Sequence, residues 1–318
     1  MTRYLLMLAL LATTAATISA QEGPVSTQAI ITVDSKTPAT LTTNDLTLKV
    51  DGRAESLTSL APVLPTGAQV AILIDDGLRV SAGRELATLR TFVQSLRPGT
   101  EIFIGYMQNG RVIPTQSFTT NLAAAAQSFR MPLGSAGISA SPYFCLSDFV
   151  KKWPSAARET QPDLQSNTQP VRKARFVLMI TNGVDPYNGS TSITNQSSPY
   201  VDSAIKDAQR AGVPVYSIYY ANAGFGARRG SFSGQSYLAQ IAEATGGTAY
   251  FEGLGSPVSM DPFLKKFASA IAESYVATFS APGNKDFVRL QAKSTLPGTS
   301  LRAPSQVRPG TSLSAQTE

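Results

Sequence analysis

Two continuous apolar runs constrain the fold of this chain more than any other feature of its sequence. Residues 70–74 are Val-Ala-Ile-Leu-Ile, and residues 176–180 are Phe-Val-Leu-Met-Ile. A strand without polar residues is typical of a sheet that is covered on both faces, because neither set of alternating side chains then meets water. The two runs therefore predict buried strands of a parallel sheet.

Segments with apolar residues at helical spacing separate these strands from others. The pattern predicts strands over residues 101–107, 213–219 and 248–251, and helices over 83–96, 122–129, 143–153, 200–211, 236–245 and 262–274. Alternating strands and helices specify an α/β domain with a mostly parallel central sheet and helices on both faces, a Rossmann-like arrangement. We predict that this domain spans residues 67–280.

A small flanking β module is predicted around this domain. Short segments of strand-like alternation precede it at 29–33 and 46–50, and another follows it at 286–292. We expect an amino-terminal β segment, residues 21–66, to pack with a carboxyl-terminal β segment, residues 281–310. The last residues, 311–318, are polar, which predicts a disordered tail.

The first 20 residues have the pattern of a secretory signal peptide. Arg3 precedes an apolar run that ends in Ile-Ser-Ala at residue 20. The run is shorter than the roughly 20 apolar residues that a membrane-spanning helix needs, and no later run is longer. We therefore expect an exported protein, periplasmic or secreted, without a membrane span.

Composition excludes several classes of function. The chain has no histidine and a single cysteine, Cys145, which excludes Ser-His-Asp chemistry, zinc sites and an intrachain disulfide. The net charge of +6 is spread without a basic block, so nucleic-acid binding is not expected. A nucleotide site is not expected either, because Gly77 and Gly83 lack the dinucleotide spacing and two acids flank them.

In an open parallel sheet, ligands bind beyond the carboxyl ends of the strands. The loops that follow the two apolar runs are therefore the candidate binding face. They contain Asp75, Asp76, Gly77, Arg79 and Ser81 after the first run, and Thr181, Asn182 and Asp185 after the second. Polar residues at such positions also cap loops and helices in many α/β folds, so a purely structural role is the alternative.

The order of these elements resembles the von Willebrand factor A (vWA) family, and in particular secreted vWA-related proteins of acidobacteria. Residues 41–52, Leu-Thr-Thr-Asn-Asp-Leu-Thr-Leu-Lys-Val-Asp-Gly, are similar to the subfamily's opening motif Leu-x-x-x-Asp-Phe-x-x-x-x-Asp-Gly. Residues 292–310, which end in Val-Arg-Pro-Gly, are similar to its terminal strand. The resemblance covers residues 29 to about 310 and implies a vWA fold.

The resemblance also implies a metal-ion-dependent adhesion site, in which Asp-x-Ser-x-Ser, a Thr and a second Asp hold Mg²⁺. Asp75 matches the first Asp, but Gly77 and Arg79 occupy the two serine positions. Ser141 lies near the position of the Thr, with Ser139 as the alternative register, and Asn182 replaces the second Asp. The implied site is therefore degenerate.

This degeneracy predicts that no cofactor binds tightly. Mg²⁺ gains most of its affinity from carboxylate charge, and Arg79 adds a cation that we expect to pair with Asp75 or Asp76. Weak binding of Mg²⁺ or Mn²⁺ through Asp75 and Ser141, with help from Asp76 or Ser81, is the remaining alternative.

We interpret the chain as a non-catalytic protein-interaction module of the cell envelope or secreted space that presents the degenerate site to an unidentified protein partner. One alternative is a structural or assembly component of an envelope complex, with a vestigial site. Another is a histidine-independent hydrolase with Ser141 or Ser81 as nucleophile. Residues 224–234, rich in glycine with Arg228 and Arg229, are predicted as a flexible loop that is either an interface or a solvated cover.

Overall fold

The computed structural model describes residues 23–35, 40–135, 137–155, 172–188, 197–221 and 227–313, without the side chains of 227–232. The predicted signal peptide lies outside these residues. So do most of the two long surface loops that the sequence indicates around 154–170 and 185–199.

Fourteen strands and six helices are described, together with three short 3₁₀ helices, Thr43–Asp45, Pro65–Gly67 and Val80–Glu85. The strands are β1 (Pro24–Ser35), β2 (Leu46–Val50), β3 (Arg53–Glu55), β4 (Leu57–Pro62), β5 (Ala68–Asp75), β6 (Glu101–Gln108), β7 (Arg111–Thr119), β8 (Ala174–Thr181), β9 (Val215–Tyr219), β10 (Ala249–Tyr250), β11 (Ser274–Pro282), β12 (Val288–Ser294), β13 (Thr299–Arg302) and β14 (Gln306–Val307). The helices are α1 (Leu86–Ser95), α2 (Leu122–Gln127), α3 (Pro142–Lys151), α4 (Pro199–Arg210), α5 (Ala227–Thr245) and α6 (Asp261–Ala272).

The central sheet has the strand order β10-β9-β8-β5-β6-β7. All of its neighbouring strands are parallel except β7, which is joined to β6 as an antiparallel edge strand. The two apolar runs form β5 and β8, which are adjacent in the middle of the sheet and buried along their whole length. The predicted class, mixed α/β with a mostly parallel central sheet and a flanking β module, is confirmed.

Helices cover both faces of the sheet, which explains why β5 has no polar alternation. Val70, Ile72 and Ile74 pack in one core with side chains of α1, α2 and α6. Ala71 and Leu73 point to the opposite face and pack with α3, α4 and α5. Each face of the sheet therefore has its own apolar core.

The flanking module is a two-layer β sandwich built from both ends of the described chain. One sheet has the order β13-β1-β11-β4 and the other β14-β12-β2-β3. Leu46, Leu48 and Val50 of β2 alternate inward, while Thr47 and Lys49 are exposed. The amino-terminal and carboxyl-terminal segments are thus hydrogen-bonded to each other, β1 to β11 and β2 to β12.

The observed position of strand β11 disagrees with the predicted boundary of the α/β domain at residue 280. Residues 274–280 were assigned to the α/β domain, yet the whole of β11 lies in the sandwich, between β1 and β4. The physical reason is that β1 and β11 are buried on both faces. Ile30 and Val276 belong to the core of the α/β domain, whereas Ile31 and Ala277 belong to the core of the sandwich.

The sandwich is attached at the amino edge of the central sheet. The amide of Ser305 donates to the carbonyl of Ala244 near the end of α5 at 2.9 Å, and Gln209 near the end of α4 donates to the Ser305 hydroxyl at 3.1 Å. Both helices end where β9 and β10 are about to begin. The carboxyl edge of the sheet therefore lies at the opposite pole.

Two further predictions are wrong where the structure describes the residues. The sequence predicts a disordered tail over residues 311–318, but Leu313 is buried in the α/β core and the Thr311 carbonyl accepts from the amide of Gln28 at 2.8 Å. Residues 314–318 lie outside the described residues. Residues 227–234 of the predicted flexible loop are helical and form the start of α5. Within the described part of the chain, no helix has the length and apolar character needed to cross a membrane.

Candidate functional site

Asp75 and Thr181 are the last residues of β5 and β8, so the sheet brings them together at its carboxyl edge. The two strands are parallel neighbours, with Ile74 opposite Ile180. The Thr181 hydroxyl donates to Oδ2 of Asp75 at 2.8 Å, and it accepts a hydrogen bond from the amide of Gly183 at 3.1 Å. The hydrogen bond between Thr181 and Asp75 therefore follows from the pairing of the two strands and needs no particular loop conformation.

Asp75 is a buried carboxylate that protein donors satisfy on both oxygens. The amide of Gly77 donates to Oδ1 at 2.9 Å, and the Ser139 hydroxyl is a further hydrogen-bond partner of the carboxyl group. Burial raises the pKa of Asp75, although the hydrogen bonds from Thr181, Gly77 and Ser139 act in the opposite direction. The result is a closed polar cluster at the centre of the carboxyl edge.

Of the two candidate serines in the loop before α3, Ser139 and not Ser141 is hydrogen-bonded to Asp75. Ser141 is the N-cap of α3, and its hydroxyl accepts a hydrogen bond from the amide of Tyr143 at 3.3 Å. Such caps satisfy a helix amide that otherwise has no partner. The structure therefore favours the alternative register of this loop and gives Ser141 the structural role.

Asp76, the residue that follows Asp75, forms an ion pair with Arg130. The two terminal guanidinium nitrogens donate to the carboxylate, Nη1 to Oδ1 at 2.8 Å and Nη2 to Oδ2 at 2.7 Å. The amide of Leu133 donates to Oδ1 at 2.9 Å, and the Gln108 side chain donates to Oδ2. Burial opposes the charged form, but the Arg130 pair and the other donors together hold the pKa of Asp76 below its usual value.

Arg130 is itself fixed from a second side. Its guanidinium lies over the ring of Tyr106, 3.8 Å from the centroid, and its amide donates to the Tyr106 hydroxyl at 2.9 Å. The hydrogen bonds and charge of Asp76 raise the pKa of Arg130 further above its ordinary value, at which arginine is already charged. The connection between α2 and α3 is thereby attached to the end of β5.

The expectation that Arg79 pairs with Asp75 or Asp76 is wrong. Arg79 is exposed at the start of the 3₁₀ helix, and the position next to Asp76 is taken by Arg130. Ser81 lies half-buried in the same 3₁₀ helix. Among the described residues, neither side chain has a hydrogen bond to the Asp75 cluster.

Asn182 and Asp185 organise the loop after β8. The Asn182 side chain accepts from the amide of Val184 at 2.8 Å, which is a local turn contact. Asp185 is buried and accepts from the hydroxyl of Ser198 at 2.8 Å, and Ser198 in turn is the N-cap of α4. These residues therefore lie at the predicted face but hold its backbone.

A close backbone contact fixes the same loop against α5. Gly183 has a positive φ of 66°, and the Tyr143 hydroxyl donates to its carbonyl. A Cβ atom on Gly234 of α5 would lie 2.2 Å from the carbonyl oxygen of Asn182. Only glycine allows this approach, and the packing of α5 depends on it.

These residues do not fit a Mg²⁺ or Mn²⁺ site. Such ions need several oxygen ligands, of which carboxylates contribute most. Asp75 is the single carboxylate of its cluster, and its oxygens already accept from Gly77, Thr181 and Ser139. Within the described ranges, no three His, Cys, Asp or Glu side chains gather in a way that suits a metal. The absence of tight divalent binding stays a prediction.

Sequence reasoning brought Asp75, Gly77 and Thr181 to one place correctly, but it did not find Arg130. No spacing rule connects residue 130 with residue 76, because the contact depends on the path of the chain after α2. The one available signal was an arginine in an otherwise apolar segment, residues 129–133, Phe-Arg-Met-Pro-Leu.

No family model and no curated protein sequence matches this chain. Solved structures of similar arrangement include a von Willebrand factor type A protein from Catenulispora acidiphila, with 11% sequence identity and a TM-score of 0.43, over 91% of this chain and 75% of that one. The ArnB paralog VWA2 from Sulfolobus acidocaldarius has 9% identity and a TM-score of 0.38, over 88% and 76% of the two chains.

The pilus adhesin SpaC from Lactobacillus rhamnosus GG, in its open conformation, is a third similar structure. Identity is 9% and the TM-score is 0.42, over 86% of this chain and 48% of the adhesin, so the chain spans about half of the adhesin's length. At such low identities and TM-scores these similarities carry no conclusion about family or activity.

Proposed function

We propose that this chain is a member of the vWA family with a degenerate metal site, and that it is a non-catalytic protein-interaction module. Its binding face is the carboxyl edge of the central sheet, and its partner is another protein of the cell envelope or secreted space. The proposal includes export to the periplasm or the medium and involves no metal, nucleotide or nucleic acid.

One observation carries this proposal: strongly exposed large apolar side chains of the described residues gather at the carboxyl edge. They lie after β5, between α2 and α3, after β8, after β10, and on β7 close to its turn with β6: Val80, Met131, Leu133, Tyr187, Leu254, Val258 and Ile113. Phe251 is also exposed, but it lines a cavity together with β1 and β13 of the sandwich. Apolar side chains that concentrate on one face of a water-soluble fold are typical of an interaction surface.

The chemistry at this edge favours binding over catalysis. With no histidine in the chain, a serine or threonine nucleophile would need another base. The hydroxyls of Ser139 and Thr181 are hydrogen-bonded to Asp75, and burial raises the pKa of the Cys145 thiol. Ser203 and Lys206 have the Ser-x-x-Lys spacing of some hydrolases, but the Ser203 hydroxyl donates to the Pro199 carbonyl at 2.8 Å.

The alternative role as an assembly component would use the flanking sandwich as its docking surface. The outward residues of β2 and β12 are polar, among them Thr47, Lys49, Arg289 and Gln291. Such a surface lacks the apolar anchors that dominate stable interfaces. We therefore place the partner at the carboxyl edge.

The test is quantitative capture of binding proteins from envelope extract of the producing cells, with the full chain as bait. Tyr187→Ser with Leu254→Ser changes the proposed face, and Thr47→Ala with Lys49→Ser changes the sandwich as a matched control. We expect a partner that wild type and control enrich equally and that the first variant loses by about tenfold or more.

Loss in the sandwich variant alone would support the assembly role instead. Equal enrichment by all three proteins would contradict the proposed face. Turnover in a hydrolase screen that disappears on Ser141→Ala or Ser81→Ala would contradict the non-catalytic role.

A further inference from the structure

One part of the carboxyl edge combines exposed apolar side chains with exposed cations. We name it the arginine–apolar patch and define it by Arg79, Val80, Arg84, Met131 and Leu133. Val80 is 58% exposed, Met131 51% and Leu133 57%, and both arginines are exposed. The patch comes from two segments, the turn and 3₁₀ helix after β5 and the connection between α2 and α3.

The two segments are in contact with each other. A Cβ atom on Gly83 would lie 3.2 Å from Cε of Met131, and one on Gly134 would lie 3.5 Å from Cγ1 of Val80. The Asp76 carboxylate and carbonyl bind the second segment through the amides of Leu133 and Gly134, at 2.9 and 3.1 Å. The patch is therefore one continuous surface on a fixed backbone.

The patch is positively charged because the acids of its two segments are buried. Asp76 is occupied by Arg130, and the Glu85 carboxylate accepts from the amide of Met260 at 3.0 Å. Asp76 and Glu85 flank the first segment, and residues 77–84 and 128–135 themselves contain no aspartate or glutamate. The exposed charges of the patch are thus Arg79 and Arg84, with no exposed carboxylate between them.

The Glu85 contact also brings the loop before α6 beside the patch. Val258 on this loop is 92% exposed, which extends the apolar surface. The acid that follows on the chain, Asp261, is paired with Lys265 at 2.7 Å. The neighbouring loop therefore adds apolar area next to the patch.

We propose that the arginine–apolar patch binds an acidic, apolar segment of a protein partner, one in which carboxylates flank two or three large apolar side chains. This proposal rests on the proposed function, because the patch is part of the proposed binding face. The apolar side chains supply desolvation energy, and the two arginines select acidic partners and speed up association.

The side chains favour a protein segment over an anionic lipid surface. Residues 77–84 and 128–135 contain arginine and methionine, which are enriched at protein interfaces, and contain no lysine, tryptophan or tyrosine. Membrane-surface segments combine a row of several lysines or arginines with interfacial aromatic rings, whereas the patch has two arginines and no exposed aromatic ring. The Asp76–Arg130 pair and the Tyr106 ring also hold the patch in one conformation, which reduces the entropy lost on binding a structured surface.

The probes are three synthetic 16-residue peptides, measured by fluorescence anisotropy with the full chain. One alternates glutamates with leucines and phenylalanines, the second replaces the glutamates with lysines, and the third replaces the apolar residues with serines. We expect the first to bind about tenfold tighter than either of the others, and its affinity to fall as salt is raised.

Charge reversal then locates the binding. Arg79→Glu with Arg84→Glu should weaken the acidic–apolar peptide about tenfold, and Val80→Ser with Leu133→Ser should do the same. Arg53→Glu with Arg97→Glu makes an equal change of charge at exposed positions on β3 and after α1, and should leave the affinity unchanged. Circular dichroism checks that each variant is folded.

The proposal would be overturned if the two charge-reversal variants lost peptide affinity equally. It would also be overturned if Arg79→Glu with Arg84→Glu lost none. Patch-dependent binding of phosphatidylglycerol vesicles without binding of the peptide would overturn it as well. If the arginine variant still captures the envelope partner while the Tyr187 and Leu254 variant does not, this inference fails and the proposed function stands. If no variant affects capture, the proposed function fails as well.

Discussion

Asp75 shows how one buried carboxylate can organise a loop region. Its donors come from the loop after β5, from the loop before α3 and from the end of β8, through Gly77, Ser139 and Thr181. Three segments distant in sequence therefore meet at one side chain. We regard this cluster as the structural support of the proposed binding face.

Replacement of Asp75 by Asn should change how stability depends on pH. Burial raises the pKa of Asp75 in the folded protein above the value of about 3.9 in the unfolded chain. Above about pH 4 the unfolded chain releases this proton more readily than the folded protein does. The contribution of Asp75 to the free energy of unfolding therefore falls as the pH rises from the unfolded-state pKa to the folded-state pKa. Asp75→Asn should therefore gain stability relative to wild type as the pH rises above about 4.

Urea unfolding followed by fluorescence of Trp153, the single tryptophan and a buried one, measures this difference. Asp75→Ala is the matched comparison, because it leaves three donors without an acceptor and should cost about 2 kcal/mol. If the difference in free energy of unfolding between Asp75→Asn and wild type did not vary with pH, the raised pKa of Asp75 would be contradicted.

At the residue scale, the sequence predicted those contacts that follow from strand order. Asp75 and Thr181 end neighbouring parallel strands, and their meeting needs no knowledge of loops. The choice between Ser139 and Ser141, and the pairing of Asp76 with Arg130 in place of Arg79, depend on how residues 128–141 cross the edge of the sheet. A local pattern contains no information on that path.

Among the elements, the buried strands were the most predictable, because a short continuous apolar run is typical of a strand that is covered on both faces. The same character concealed the position of β11. Its residues are buried on both faces, as in β5 and β8, so its pattern is that of a central strand, yet it pairs with β1 and β4 in the flanking module. Burial on both faces does not specify which sheet a strand joins.

Helix α5 depends on a glycine that helix propensity alone would disfavour. Alanine in place of Gly234 should favour the helix by about 1 kcal/mol. Its Cβ would lie 2.2 Å from the carbonyl oxygen of Asn182, and overpacking of this kind costs about 1 to 3 kcal/mol or more. We expect the clash to dominate and Gly234→Ala to lose about 1 to 2 kcal/mol of stability in urea unfolding.

Gly255→Ala is the control, because no heavy atom lies within 4 Å of the added Cβ. Its effect should stay within about 0.5 kcal/mol. A Gly234→Ala protein as stable as wild type would show that the loop after β8 moves freely relative to α5.

At the scale of the whole molecule, β1 and β11 contribute side chains to two cores at once. Their alternate residues pack in the α/β domain and in the sandwich. Ile31→Ala removes a fully buried side chain from the sandwich core and should cost about 2 to 4 kcal/mol. We expect calorimetry to show a single transition that shifts as a whole to lower temperature.

Lys49→Ala, an exposed change on β2, should leave the transition where it is. Two transitions in the Ile31→Ala protein, with the α/β domain melting as in wild type, would mean that the sandwich and the α/β domain unfold independently.

Both ends of the described chain lie in or against the sandwich, which determines where the molecule can be attached to another body. The amide of Leu313 donates to the side chain of Gln28 on β1, and Pro24 of β1 pairs with Pro282, so both ends of the described chain lie against β1 or belong to it. The sandwich lies at the amino edge of the central sheet, opposite the arginine–apolar patch. A tether, label or fused domain placed next to Pro24 or Leu313 would therefore start at the pole opposite the proposed binding face.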